Sequence, residues 1–255
     1  MSLYQQRLAQ PGKPELVLLH GWGMNADVWQ PLLEPLSQHY SLTLFDLPGL
    51  GRSAPLAQGC TVSAMAETLL AQAPEQAHWL GWSLGGNIAT AVAVQAPQRV
   101  LSLTTVASNP CFVQRDDWPT AMSEETFTGF QQLLATEPAK TLSRFIMLQT
   151  QGGSAARDIL RQLKTLLKVA EPAALADTLA LLALDQREAL AQVGCPLLTL
   201  WGEQDQLVPQ TAAQATLALL PQQQSRVYSG AGHLPFLSDA EAFIAELCTF
   251  TEAAV

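Results

Sequence analysis

The sequence contains few charged residues, and cations are the scarcer kind. Charged residues make up 14% of the 255 residues, with 13 Lys and Arg against 22 Asp and Glu and a net charge of −9 at pH 7. A surface of this sign repels a phosphate backbone, so we expect no nucleic-acid partner. No apolar run approaches the ~18 residues of a membrane-spanning helix, so we expect no membrane partner either.

Cysteine is also scarce. The four cysteines lie far apart and form no C-x-x-C pair: Cys60, Cys111, Cys195 and Cys248. This spacing indicates neither a metal site nor a disulfide framework, which favours a reducing, cytoplasmic setting. The first residues carry no apolar signal-peptide core, in agreement with that setting. The 48% of apolar residues is enough for the core of one α/β domain.

The strongest motif is a glycine-rich turn, G-x-S-x-G, centred on Ser83. It follows the apolar run 78–80 and precedes a helical segment, which is the strand–turn–helix context of a nucleophile elbow. On so tight a turn Ser83 is expected to have a strained backbone, while Gly81 and Gly85 let the helix pack on the strand. Ser83 is thus the predicted nucleophile, and the N–H of Leu84 is a predicted oxyanion donor. A turn with a capping serine is the alternative.

Short apolar runs alternate with helical patterns along the chain. This alternation predicts an α/β fold with a mostly parallel sheet, helices on both faces and ligands at the carboxyl ends of the strands. Helices are expected from Thr61 to about 73, from the elbow to Pro97, and from about 239 to 250. The predicted strands are 16–19, 42–45, 78–80, 100–106, 197–201 and 225–228.

Residues 109–192 show no strand pattern and are predicted to form a helical lid over the strand ends. The α/β core would then comprise residues 1–108 and 193–255. Four helices are expected in the lid, near 123–135, 138–150, 154–169 and 172–184.

A serine hydroxyl needs a base to take its proton, and histidine has a suitable pKa near neutrality. His233 follows the last predicted strand on a glycine-rich loop, at the same sheet edge as Ser83. His39 lies near a helix end, His78 opens a strand, and His20 is expected to support its own loop. His233 is therefore the predicted base, with a loop-capping histidine as the alternative.

The acid that orients this base should follow an earlier strand. Asp205 follows the strand 197–201 and lies between Ser83 and His233 in the chain, which is the serine–acid–histidine order of α/β-hydrolases. Asp46 also ends a strand but precedes the serine, so it is the weaker choice.

A second oxyanion donor is expected on the glycine-flanked loop after strand 16–19. The backbone N–H of Trp22 is the predicted donor, and its indole is expected to line the mouth of the pocket. An ordinary packed aromatic residue is the alternative.

These residues identify a family. The chain resembles an α/β-hydrolase from end to end, and more closely the pimeloyl-[acyl-carrier protein] methyl ester esterases of biotin synthesis. The elbow tryptophan Trp82 and the Pro-Cys-Phe sequence that opens the lid are its more distinctive marks. The matching stretches are Leu18-Leu19-His20-Gly21-Trp22-Gly23, Asp46-Leu47-Pro48-Gly49, Trp79-Leu80-Gly81-Trp82-Ser83-Leu84-Gly85-Gly86, Ser108-Asn109-Pro110-Cys111-Phe112, and Arg144-Phe145 through Leu148-Gln149.

The resemblance implies a carboxylesterase that removes the methyl group from pimeloyl-carrier protein. Serine catalysis of this kind needs no metal or redox cofactor, and the sequence shows no ligand cluster for one. By family likeness, the residues that contact the acyl chain are Trp22, Ser83, Leu84, Phe145, Ile146, Met147, Leu148, Gln149 and His233.

Other functions use the same serine. A broad short-chain esterase or thioesterase keeps the three predicted catalytic residues, as does a cofactor-free peroxidase. A non-catalytic binding protein need not keep them, and a dehalogenase or epoxide hydrolase would have aspartate in place of Ser83.

The predicted lid contains an excess of cations. The span 140–168 holds six of the 13 basic residues and one acid, Asp158. On the helix predicted at 154–169 the cations recur every three or four residues and form one stripe. A solvated face is the ordinary interpretation, but an acidic acyl-carrier protein is the partner we expect. The predicted docking residues are Lys140, Arg144, Arg157, Arg161, Lys164 and Lys168.

Overall fold

A computed structural model of the protein describes residues 2–166 and 172–254, and its centre is one seven-stranded sheet. The spatial order of the strands is β1-β3-β2-β4-β5-β6-β7. All neighbours are parallel except β1 and β3, which are antiparallel. The predicted mostly parallel sheet is confirmed, although β1 was not predicted. The strands are β1 (Gln5–Leu8), β2 (Glu15–Leu19), β3 (Ser41–Phe45), β4 (Ala77–Trp82), β5 (Val100–Val106), β6 (Leu197–Gly202) and β7 (Gln224–Tyr228).

Helices cover both faces of the sheet. Alternate side chains of β2 show this: Val17 and Leu19 belong to one buried apolar cluster, and Leu16 and Leu18 belong to another on the opposite face. Successive side chains of a strand point to opposite faces, so both faces of β2 need a cover. The helices are α1 (Gln30–Ser37), α2 (Val62–Leu70), α3 (Leu84–Gln95), α4 (Glu124–Thr136), α5 (Pro138–Thr150), α6 (Ala156–Leu166), α7 (Pro172–Ala180), α8 (Arg187–Ala191), α9 (Gln210–Leu219), α10 (Pro235–Ser238) and α11 (Ala240–Ala253).

Three helices begin at the polar side chains that their sequences offer as caps. The Thr61 hydroxyl accepts the N–H of Ala64 at the start of α2. Ser123 and Asp239 cap α4 and α11 in the same way. Each cap satisfies one of the amides that a helix leaves unpaired at its N-terminus, so these boundaries follow from local sequence.

The four helices predicted for the lid correspond to α4, α5, α6 and α7. The 3₁₀ turn Leu181–Ala183 follows α7, and α8 was not predicted. The predicted helix 154–169 begins later, at Ala156, and its last residues lie outside the described part of the chain. Residues 109–166 and 172–192 contain isolated β-bridges but no strand. The assignment of 109–192 as a separate lid stays a prediction.

Residues of the predicted lid are hydrogen-bonded to the loops at the carboxyl ends of the strands. The indole N–H of Trp22 donates to the Leu175 carbonyl at 3.0 Å. The N–H of His233 donates to the Gln149 carbonyl at 3.2 Å, and the N–H of Ser154 donates to the Gly230 carbonyl of the same loop at 2.9 Å. Through residues 2–166 and 172–254, none of the helices combines the length and the apolar character that crossing a membrane requires.

Candidate active site

Ser83 lies on a strained turn between β4 and α3. Its backbone has φ 55° and ψ −119°, a region that residues with a side chain rarely adopt. It occupies the N-cap position of α3, yet its hydroxyl makes no capping hydrogen bond, so the side chain is left to other partners. The backbone N–H of Ser83 donates to the Val106 carbonyl at 2.8 Å, which ties the turn to β5.

The glycines of the elbow are required by close backbone contacts. A Cβ at Gly85 would lie 2.5 Å from the carbonyl oxygen of Leu19, and one at Gly81 would collide with the backbone of Gly85. The expectation that a side chain would clash at Gly81 and Gly85 is therefore confirmed.

His233 and Asp205 form a buried pair at the same edge of the sheet. His233 Nδ1 is 2.7 Å from Asp205 Oδ2, and the other carboxylate oxygen accepts the N–H groups of Leu207 and Val208. These bonds fix the carboxylate and direct one oxygen at the imidazole. Nε2 of His233 is buried and has no hydrogen-bond partner among the described residues, so it is free to accept a proton.

The elbow holds the histidine loop directly. The indole N–H of Trp82 donates to the His233 carbonyl at 2.8 Å, and the two rings are 5.6 Å apart between centroids. Since Trp82 adjoins Ser83 in the chain, this bond brings the histidine loop to the nucleophile turn. No hydrogen bond joins Ser83 to His233 within the described chain, as is common in free enzymes before substrate binds.

Asp46 has a different set of partners. Its oxygens accept the N–H of Ala26 at 2.7 Å and bonds from the backbone and guanidinium of Arg52 at 2.7 to 2.9 Å. Burial by itself would raise the pKa of Asp46, but the hydrogen bonds from Arg52 and from the N–H of Ala26, together with the electrostatic effect of His20, outweigh it and hold that pKa below its usual value. Asp46 is committed to loop structure, which agrees with its ranking behind Asp205.

His20 supports the loop that carries Trp22, as expected. Its Nε2 accepts the N–H of Leu47 at 2.9 Å, and its Nδ1 is 2.8 Å from the Gly21 carbonyl. The imidazole is therefore neutral with its proton on Nδ1. Burial lowers the pKa of His20, in keeping with that form.

The two predicted oxyanion donors flank Ser83. A Cβ at Gly21 would lie 3.2 Å from the Cβ of Ser83, so the loop that carries Trp22 touches the nucleophile. Leu84 begins α3, and the first amides of a helix have no partner within it. The indole of Trp22 is fully buried rather than at the mouth of a pocket, which corrects the expectation for its ring.

An aromatic cavity of about 580 Å³ opens within the lid. Its volume lies within the usual range for small-molecule sites. The rings of Phe130 and Phe145 pack edge-on against the Trp22 ring at 5.8 and 4.9 Å between centroids. The cavity is therefore separated by one aromatic ring from the loop that carries Trp22, although Ser83 and His233 do not line it. The lining residues are Phe112, Met122, Glu125, Thr126, Phe127, Gly129, Phe130, Leu133, Arg144, Phe145, Leu148 and Leu179.

The segment predicted to contact substrate is part of α5, so its side chains point in different directions. Phe145 and Leu148 line the aromatic cavity. Ile146 packs into the apolar cluster on the other side of the helix, and Met147 is 54% exposed. The helix thus brings only part of the segment to the cavity, because consecutive residues lie about 100° apart around its axis.

Gln149 ends this segment in an unusual state. Its side chain is 1% exposed, and both amide atoms are buried without a partner among the described residues. Its backbone carbonyl accepts the N–H of His233. An unpaired buried amide costs stability, so its position beside the histidine loop favours a role in binding.

The predicted docking cations lie on α5 and α6, apart from Lys168, which is outside the described residues. The side chains of Ile159 and Leu163 pack into the core, so the cations occupy the outer side of α6. Arg161 is 2.9 Å from Asp158, and Lys140 is 2.9 Å from Glu137. The described cations, all exposed, are Lys140, Arg144, Arg157, Arg161 and Lys164.

None of the four cysteines is an activated nucleophile, because burial raises the pKa of each thiol. All four cysteines are free thiols. Burial raises the pKa of the Cys60 and Cys195 thiols to about 11, so neither forms a thiolate at neutral pH. Across residues 2–166 and 172–254, no group of three or more His, Cys, Asp or Glu side chains is placed to hold a metal ion.

Comparison with known proteins gives close relatives. The sequence profile of the alpha/beta hydrolase fold matches residues 14–240. The pimeloyl-[acyl-carrier protein] methyl ester esterase of Klebsiella pneumoniae is 45% identical to this chain over 236 residues, which is 91% of each protein. The protein of the same name from Serratia marcescens is 41% identical over 257 residues and 99% of each.

Solved structures show the same fold at lower identity. An esterase from Exiguobacterium antarcticum has a TM-score of 0.87 at 22% identity, covering 98% of this chain and 95% of that one. A bromoperoxidase from Bacillus anthracis has a TM-score of 0.89 at 19% identity, with the same coverage. At these identities the likeness concerns the fold alone.

Proposed function

This chain belongs to the α/β-hydrolases and, among them, to the pimeloyl-[acyl-carrier protein] methyl ester esterases, and we propose that it hydrolyses the methyl ester of pimeloyl-[acyl-carrier protein]. The products are methanol and pimeloyl-[acyl-carrier protein], an intermediate of biotin synthesis. The observation that carries the proposal is the buried His233–Asp205 pair beside the strained Ser83, in a chain 45% identical to such an esterase.

The reaction proceeds through an acyl-enzyme. Ser83 Oγ attacks the ester carbonyl while Nε2 of His233 takes the hydroxyl proton, and Asp205 stabilises the imidazolium that forms. The N–H groups of Trp22 and Leu84 bind the oxyanion. When the tetrahedral intermediate collapses, His233 returns the proton to the departing methoxide. Water then repeats the sequence on the acyl-enzyme, which releases the free carboxylic acid and restores Ser83.

The substrate presents two acyl groups that a serine could attack, the methyl ester and the thioester to the carrier. The aromatic walls around Phe145 suit the methylene chain between them. The unpaired amide of Gln149 can hydrogen-bond a polar group of the bound ester. Selectivity for the methyl ester therefore depends on how far the acyl chain of the substrate extends towards Ser83 before the carrier protein contacts the lid.

The carrier is proposed to dock on the cationic side of α5 and α6. Acyl-carrier proteins are acidic, and complementary charge mainly raises the rate of encounter. Such docking would hold the pantetheine arm beside the cavity that Arg144 lines. We place the reaction in the cytoplasm, where four free thiols persist and carrier-bound acyl chains are made.

Hydrolysis of purified methyl pimeloyl-carrier protein tests this proposal. We expect methanol and pimeloyl-carrier protein, with kcat/KM well above that for p-nitrophenyl butyrate. Ser83→Ala should lower kcat by about a millionfold. Release of free carrier thiol would indicate a thioesterase instead, and equal kcat/KM on both esters would indicate a broad short-chain esterase.

Two further measurements test the catalytic serine and the pathway. A fluorophosphonate probe should label the wild-type protein and not Ser83→Ala, because it reacts with activated serines. A protein that only binds its ligand would stay unlabelled. The gene should also restore growth without biotin to a bacterium that lacks its own pimeloyl methyl ester esterase.

A further inference from the structure

Ser108, the residue two positions after β5, lies directly behind the nucleophile turn. Its hydroxyl oxygen is 2.8 Å from the backbone carbonyl oxygen of Ser83 and 3.0 Å from Asn87 Oδ1. Its side chain is buried, and the approach depends on Gly86, where a Cβ would lie 2.5 Å from the Ser108 hydroxyl. The fold therefore reserves space on α3 for this hydroxyl.

The backbone is strained to deliver it. Among the described residues, Ser83 and Ala107 are the non-glycine residues with positive φ, at 55° and 47°. Each residue directly follows one of two neighbouring strands, Ser83 after β4 and Ala107 after β5. The backbone N–H of Ala107 donates to the Leu200 carbonyl at 2.8 Å. Strain of this kind persists only where its surroundings impose it, and it concentrates at functional sites. Strain at Ala107 turns the chain so that Ser108 reaches Ser83.

The direction of the hydrogen bonds can be assigned. The Ser108 hydroxyl has one proton, but both of its partner atoms, the Ser83 carbonyl oxygen and Asn87 Oδ1, are acceptors. The Ser83 carbonyl can only accept, whereas the amide of Asn87 can be turned to present its NH₂ group. The consistent arrangement is a chain in which Asn87 donates to Ser108 and Ser108 donates to Ser83. Each bond of such a chain polarises and strengthens the next.

The Ser83 carbonyl belongs to the same planar peptide as the N–H of Leu84. In a trans peptide these two groups point in opposite directions, so fixing the oxygen also fixes the N–H. The amides of Gly86 and Asn87 donate to this oxygen from within α3 at 2.9 and 3.4 Å, and Ser108 adds a side-chain donor from the loop after β5 at 2.8 Å. Donors from two different elements define the rotation of the peptide better than donors from one helix alone.

We propose that Ser108 is a positioning residue for ester hydrolysis, because its hydroxyl holds the Ser83–Leu84 peptide in the orientation that aims the Leu84 N–H at the oxyanion. This inference rests on the proposed function, in which Leu84 supplies an oxyanion donor. Ser108 touches neither substrate nor the reacting atoms. It acts only on the preorganisation of the oxyanion hole, which matters in the transition state more than in the bound substrate.

The test compares Ser108→Ala with a matched variant, Ser102→Ala. Ser102 is a buried serine within β5, near the opposite end of that strand from Ser108, and its hydroxyl is 2.8 Å from Nδ1 of His78. Loss of a complete oxyanion donor costs 10²–10³ in kcat, so a loosened donor in Ser108→Ala should cost about tenfold to hundredfold on p-nitrophenyl butyrate. KM should stay within about twofold, and the affinity for a boronic acid that forms a tetrahedral adduct should fall with kcat.

Ser108→Cys keeps the branching of the side chain but replaces the hydroxyl by a larger thiol that donates more weakly, so its kcat should lie between those of Ser108→Ala and the wild type. If Ser108→Ala does not fold, Ser108→Cys provides the test instead. A kcat of Ser108→Cys equal to that of the wild type would then overturn the inference. Unchanged kcat in Ser108→Ala, an equal loss in Ser102→Ala, or a change in KM alone would overturn it too. Equal activity in the wild type and Ser83→Ala would refute the proposed function itself and this inference with it.

Discussion

At the scale of single residues, two aspartates that follow strands β3 and β6 have different partners. Asp205 gives one oxygen to two backbone amides and the other to His233. Asp46 gives both oxygens to Arg52 and a backbone amide and has no contact with His233. The same residue type therefore holds the imidazole of His233 in one place and ties a loop in the other.

Asp205→Asn should lower kcat by about 10⁴-fold, because the amide NH₂ would face Nδ1 of His233 and force the wrong tautomer. Asp46→Asn keeps the tautomer and weakens only the bonds to Arg52, so it should lower stability more than kcat. The measurements are kcat on a free ester and the urea unfolding midpoint of both variants. A larger loss of kcat in Asp46→Asn would mean that the acid has been assigned wrongly.

Gln149 is a residue at which we propose that stability is given up for substrate binding. Gln149→Leu removes two unpaired buried polar atoms, so it should raise the free energy of unfolding by about 1–3 kcal/mol. It should also lower kcat/KM for methyl pimeloyl-carrier protein, because the bound ester loses a hydrogen-bond partner. Thermal unfolding and initial rates check the two effects.

Gln223 is the matched control for this prediction. Both of its amide atoms are also buried and unpaired, in the turn before β7 and away from the catalytic loops. Gln223→Leu should therefore raise stability and leave kcat/KM unchanged. If both variants behave alike towards substrate, the unpaired amide of Gln149 has no part in binding.

At the scale of elements, local patterns predicted most strands and helices of the structure. β2, β3 and β5 are short apolar runs bounded by polar or turn residues, and α2 begins at its Thr61 cap. β1 escaped prediction because Gln5–Leu8 has no apolar run; its pairing with β3 is tertiary. α8 is too short for a helical period to be visible.

The loops that carry Ser83, Asp205 and His233 could be predicted because chain order and strand ends determine where each loop lies. Distances within the site could not be. The bond from Trp82 to the His233 carbonyl joins residues far apart in sequence, and nothing local indicates it. The same holds for Ser108, whose role depends on a strained residue at Ala107 that carries no glycine signature. Side-chain direction in α5 was also missed, since family likeness names residues and not helix faces.

The cations of α6 provide a test at this scale. Arg157→Glu with Arg161→Glu should raise KM for the carrier-linked ester at least severalfold, because the carrier meets a reversed charge. Hydrolysis of p-nitrophenyl butyrate should hardly change. The wild-type preference for the carrier-linked ester should also shrink as salt is added, since screening weakens exposed charges.

A matched pair of reversals separates docking from net charge. Arg7→Glu with Lys13→Glu changes the net charge by the same amount near the antiparallel edge of the sheet, away from the lid. This pair should leave KM for the carrier-linked ester nearly unchanged. Equal increases in KM from both pairs would point to overall charge, and equal losses on both substrates would show that the α6 cations support the fold.

At the scale of the whole molecule, two buried neutral histidines make stability depend on pH. Burial lowers the pKa of His20, whose Nε2 accepts a backbone N–H, and burial also lowers the pKa of His78. Below the ordinary histidine pKa of about 6.5 the unfolded chain gains protons that the folded chain does not, so stability falls. Each histidine lowers the free energy of unfolding by at most about 1.4 kcal/mol for each pH unit of acidification. Stability continues to fall until the pH reaches the pKa that the histidine has in the folded chain.

His78→Asn isolates one of these contributions, because asparagine can keep the bond to Ser102 without titrating. The variant should lose less stability than the wild type when urea unfolding is measured from pH 7 down to pH 5. Asp46 acts in a lower window: its depressed pKa gives stability above about pH 4 that is lost only as the pH falls through the folded value. The fall in stability below pH 4 should therefore be the same in the wild type and in His78→Asn. If the two proteins lose stability in parallel between pH 7 and pH 5, His78 does not cause the loss of stability in that range.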